Sequence, residues 1–158
     1  MENELKQDFT RRLSQCNKGQ MIVIIYDIFF AYAQDIRDSY EKKEDELFRE
    51  SVRKAQKTVA ELQSALDFSY PIATELRDLY VCVKKLLAET MYKRDLEALD
   101  NAERIMKPLY EGFVEAAKQD TSEPLMKNTQ KVYAGMTYGR QNLTENLVQM
   151  SDNRGFLI

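Results

Sequence analysis

Apolar residues recur at helical spacing through most of the chain. Residues 4–14 place Leu5, Phe9 and Leu13 at i, i+4 and i+8, one stripe of a short helix. Asn17 is a good cap residue, and the pattern after it turns strongly apolar, which predicts a long helix over about 18–42. Phe48, Val52, Ala55, Val59, Leu62 and Leu66 alternate spacings of four and three, the seam of a bundle helix over about 45–67. Phe68-Ser69-Tyr70 breaks the pattern, and Pro71 suits the first turn of a helix over about 71–92. Asp95 opens a last long helix over about 95–118. Pro108 falls inside it, so the chain is expected to kink near Ile105 or to start a new helix at Pro108.

Short connections between four similar helices predict an all-α fold, an antiparallel up-and-down four-helix bundle with a short N-terminal helix. The bundle is expected over 1–120, with 121–158 as an extended C-terminal tail holding short helical pieces near 125–133 and 142–149. Leu143, Leu147 and Met150 make one helical stripe in that tail, which suggests a segment that lies along the bundle, or along a neighbouring subunit, and competes with its ligand; the alternative is a tail docked elsewhere or serving a different partner.

The first long helix is unusual. From Met21 to Ala33 every residue except Asp27 is apolar or aromatic. Met21, Ile25, Ile28, Tyr32 and Ile36 form one face; Ile22, Tyr26, Phe29, Phe30 and Ala33 form a second. A helix apolar all round is buried all round. Two compatible readings follow. Either this is the central helix, with the N-terminal segment over its outer side, or one face serves a partner helix and the segment is a removable lid. The second reading places a groove at Ile22, Tyr26, Phe29, Phe30 and Tyr80, with Leu5, Phe9 and Leu13 packed over the Ile22/Tyr26/Phe29 side.

Composition removes other options. The 158 residues include no His, so imidazole catalysis and His-ligated metal are excluded. Only 5 Gly and 3 Pro argue against an all-β chain. The two Cys, Cys16 and Cys82, form no CxxC and read as reduced thiols of a cytoplasmic protein. Cys82 falls near the apolar face of its helix and is expected in the core. Cys16 precedes a helix start, where the dipole favours a lower thiol pKa. A net charge of −3, spread along the chain, gives no nucleic-acid footprint. The apolar run is too short to span a bilayer. Glu44-Asp45-Glu46 and Asp95/Asp100/Glu103 read as solvated helix faces, and Gly135 with Gly139 makes no phosphate loop. No catalytic residue, cofactor or metal site is expected.

The order of short motifs is the most specific signal. Gln15-Cys16-Asn17-Lys18, Ile25-Tyr26-Asp27-Ile28, Lys54-Ala55-Gln56, Glu61-Leu62, Leu66-Asp67, Ile72-Ala73, Leu79-Tyr80 and Asp95 follow in sequence. Residues 5–113 thereby resemble the FliS family of flagellar export chaperones. Lys18 and Ile28 stand where that family has proline and glycine, Phe113 where it has tryptophan, and the tail is longer than usual. The resemblance implies a cytoplasmic bundle without catalysis. It would bind the C-terminal helical segment of flagellin, prevent premature polymerisation and aid export, with components of the export apparatus as further partners. The alternative is a regulatory or structural bundle that binds another helix. The pattern leaves a homodimer open.

Overall fold

The computed structural model describes residues 1–127. These form five helices and no strand: α1 (Asn3–Gln15), α2 (Lys18–Glu41), α3 (Asp45–Ser64), α4 (Ile72–Lys93) and α5 (Leu96–Gln119). α2 packs on α3, α3 on α4, α4 on α5, and α5 closes the ring on α2. The diagonal pairs α2/α4 and α3/α5 make no close backbone approach, as a four-helix bundle requires. α1 lies outside the ring, against α2.

Local chemistry sets the helix starts. Asn17 caps α2 through a capping box: its side chain accepts from the Gln20 N–H at 2.9 Å, and the Gln20 side chain accepts from the Asn17 N–H at 3.0 Å. The Asp95 carboxylate accepts from the Glu97 N–H at 2.9 Å at the start of α5. The core takes one stripe from each bundle helix, including Tyr26, Phe29, Ala33 and Ile36 from α2 and Leu76, Tyr80, Val83 and Leu87 from α4.

Three expectations change. α3 ends at Ser64 rather than near 67. Asp67 instead accepts from the N–H and hydroxyl of Ser69, a local turn that competes with helix. Of the two outcomes expected at Pro108, the new helix is not formed: α5 is one helix from Leu96 to Gln119 with Pro108 inside it. Arg104 and Pro108 are both exposed, so water can satisfy the carbonyl that loses its intrahelical partner. Cys82 is exposed, not core. Apolar residues on α4 span more than the core stripe, and Ile72, Leu79 and Val81 are also exposed.

Candidate functional site

The two sides of α2 have different partners. Tyr26 and Phe29 are fully buried in the bundle. The Tyr26 ring lies 5.6 Å from Phe113 and 6.0 Å from Tyr110 on α5, and its hydroxyl is 2.7 Å from that of Tyr80 on α4. Burial pushes the pKa of both Tyr26 and Tyr80 up, so each phenol stays protonated.

The opposite side of α2 carries Asp27 and Asp35, and α1 lies there. Arg12 Nη2 is 2.5 Å from Asp27 Oδ2, and the Met1 ammonium is 2.6 Å from Asp35. Phe9 is buried at 7% exposure, Leu13 is half-buried, and Leu5 is exposed at 38%. The expected lid stripe is thus two residues deep, and it covers the Asp27 side rather than the Ile22/Tyr26/Phe29 side. The physical reason is the bundle itself, which consumes Tyr26 and Phe29 as core and leaves α1 the remaining apolar face. Ile24, about half a turn from Tyr26, is buried on that outer side.

Tyr26, Phe29 and Tyr80 therefore belong to the interior and do not line an open groove. Of the five groove residues expected from sequence, only Ile22 and Phe30 are half-exposed. Phe30 packs edge-on against Phe29 at 5.3 Å and Tyr110 at 5.5 Å. The stripe Leu143, Leu147 and Met150 lies outside the described residues.

Two clefts lie along the seam between α2 and α5, the first also walled by Arg12, Gln15 and Cys16 at the end of α1. A cleft of about 430 Å³ is floored by Val23, Ile24, Val114 and Ala117 and edged by Arg12, Gln20 and Lys118. Further along, a cleft of about 550 Å³ is lined by Phe30, Tyr110, Asp100, Glu103, Arg104 and Lys107. Between them the Tyr110 hydroxyl donates to Asp27 Oδ1 at 2.8 Å. That bond holds the Tyr110 pKa up. After Met106, α5 has no fully buried residue, although its apolar stripe continues through Leu109, Tyr110, Phe113, Val114 and Ala117. The α5 half of this surface is absent from the expected groove. Its sequence signal is this long stripe, together with Asp27 as the lone acid of the apolar run.

The remaining polar groups are structural. Arg37 on α2 pairs with Asp100, at 2.7 Å, and with Glu103 on α5. Asp45 pairs with Arg94 across the loops at one end. Asp45, Asp100 and Glu103 thus each pair with an arginine, while Glu44, Asp45 and Glu46 remain exposed, as expected of a solvated face. The Cys16 thiol is buried, and burial pushes its pKa up to about 11, opposite to the lowering expected from the helix start. Among the described residues, no group of His, Cys, Asp and Glu is arranged to hold a metal ion, and no helix is long and apolar enough to cross a membrane.

Fold and site together define an all-α bundle with a partly roofed apolar seam. The chain belongs to the FliS family: the model of that family, described as flagellar protein FliS, matches residues 1–120. FliS proteins are flagellar export chaperones, not an enzyme family. Among curated proteins none matches the chain.

Proposed function

We propose that the α2–α5 seam binds the C-terminal helical segment of newly made flagellin in the cytoplasm, and that α1 is a lid beside it. The complex keeps flagellin from polymerising and presents it to the export apparatus. The observation that carries this reading is the α5 stripe from Leu109 to Ala117, apolar yet nowhere fully buried, facing two clefts in line along α2. An amphipathic helix laid along that seam would complete its burial. A disordered segment costs roughly 2–5 kcal/mol or more to order, so a long, mainly apolar surface suits it better than a compact pocket.

The test is titration of the full chain with a peptide of the flagellin C-terminal segment, followed by calorimetry. Binding that is weakened by Val114→Asp or Ala117→Asp, with the bundle still folded, supports the seam. Tighter binding or more aggregation on deletion of residues 1–14 supports the lid. Full affinity in both seam variants would place the segment elsewhere, and no binding by the intact chain would sink the flagellin reading.

A further inference from the structure

The chain does not leave the bundle where α5 ends. Asp120 Oδ2 accepts from the Gly19 N–H at 2.9 Å, and Asp120 Oδ1 accepts from the Ser122 N–H at 2.9 Å. Asn17 Nδ2 donates to the carbonyl oxygens of Asp120, at 3.2 Å, and Ser122, at 3.4 Å. The Leu125 N–H donates to the Cys16 carbonyl at 2.9 Å, and the Leu125 side chain packs against the core. Residues 120–125 thus bond to positions 16, 17 and 19, the joint between α1 and α2.

Two details make this a fitted contact. Asn17 uses both ends of its amide: the oxygen caps α2 and the nitrogen holds the returning segment. Gly19 leaves room for the carboxylate, because a Cβ there would meet Asp120 Oδ2 at 2.7 Å and Asp120 Cβ at 3.2 Å. The joint is also where α1 must pivot. Cys16 and Asn17 are the extended residues between the two helices. α1 is held by Phe9, Leu13 and the part-exposed Arg12–Asp27 pair, with the Met1 ammonium on Asp35 fastening the residues just before it.

We propose that residues 120–125 are a latch on the α1 hinge. α1 lifts from α2 only when the latch opens, and undocking of α1 loosens the latch in return, since coupling between two sites is reciprocal. The segment that begins the C-terminal extension is then a control point for α1, whatever ligand α1 makes way for.

Hydrogen exchange on the full chain tests this, with Cys16 thiol labelling in a Cys82→Ser background to report latch opening. Gly19→Ala crowds Asp120 while favouring the helix itself. Leu125→Pro removes the N–H that Cys16 receives. Both variants should label Cys16 faster and speed exchange across α1 on the order of tenfold, with α3 and α4 unchanged. In the reverse direction, Phe9→Ala should speed exchange of the Gly19 and Leu125 amides. Faster Cys16 labelling with α1 protection intact would overturn the latch. If one variant lost protection in α3 and α4 as well, the other would decide. Loss of that protection in both would also overturn it, because the contact would then be part of the global fold.

Discussion

The hydroxyls of Tyr26 and Tyr80 meet at 2.7 Å in the middle of the bundle, joining α2 to α4 across its diagonal. Both rings are almost fully buried. Each hydroxyl is the other's partner there, so the pair fixes how the two opposed helices are rotated toward each other. It also explains why two residues that read as groove candidates in the sequence face inward: a buried phenol needs a polar partner, and the bundle supplies it internally.

Removing one hydroxyl should therefore cost more than removing both. Tyr26→Phe or Tyr80→Phe leaves a buried phenol unsatisfied and should destabilise the fold by about 1–3 kcal/mol. The double variant Tyr26→Phe/Tyr80→Phe should recover most of that loss. Urea unfolding of the four proteins measures the cycle. Additive losses would show that the two hydroxyls do not depend on each other.

The same pair predicts alkaline sensitivity. In the unfolded chain tyrosine titrates near its ordinary value, about 10. In the fold the pKa of Tyr26 and Tyr80 is raised by burial. Below the unfolded value both states keep the protons and stability is unaffected. Above it only the unfolded state sheds them, so stability falls as pH rises. The slope of stability against pH should be shallower in the double Phe variant than in the wild type. It should not vanish, because Tyr32, by burial, and Tyr110, by its bond to Asp27, are also raised. Identical slopes would contradict the assignment.

The helices and two of their caps were legible in the sequence because they follow from local pattern: Asn17 and Asp95 cap where a polar residue precedes an apolar run. What pattern does not carry is which of two apolar faces turns inward. Around α2 from Met21 to Ala33 every position but Asp27 is apolar or aromatic, so Tyr26 and Phe29 fit a groove as well as a core. Only their partners on α4 and α5 decide. The same ambiguity put Cys82 in the core, since α4 is apolar over a wide arc. The contacts of Asp120 and Leu125 with the α1–α2 joint are about a hundred residues apart in sequence and leave no periodic trace.

Gly112 offers a stabilising change. It lies in the middle of α5, and a Cβ there would meet nothing within 4 Å. Gly112→Ala should stabilise the protein by about 0.5–1 kcal/mol through helix propensity and a less flexible unfolded chain. Thermal unfolding reads the gain. A loss of stability would mean that the α5 backbone near Gly112 needs the glycine for a reason other than space. Gly19, the other glycine of the bundle, should not behave this way, because its Cβ would strike Asp120.

Asp27 is the residue through which α1, α2 and α5 meet. Its carboxylate accepts from Arg12 on α1 at 2.5 Å and from the Tyr110 hydroxyl on α5 at 2.8 Å. Asp27→Asn keeps the shape and a polar partner for Tyr110 but loses the charge that holds Arg12. The loss should fall on α1 rather than on the bundle, at about 1 kcal/mol for a part-exposed ion pair. Exchange across α1 should quicken while α3 and α4 stay protected, and high salt should mimic the change in the wild type but add little in the variant. If α1 covers a surface that flagellin needs, weakening it raises the competent fraction, and about 1 kcal/mol corresponds to roughly fivefold tighter peptide binding. Tyr110→Phe separates the two arms of the clasp, since it spares Arg12 and should leave α1 protection unchanged. Faster exchange in α1 without tighter binding would keep the clasp but remove the lid. Unchanged α1 exchange in Asp27→Asn would show that Phe9, Leu13 and the Met1–Asp35 pair hold α1 without the Arg12 clasp.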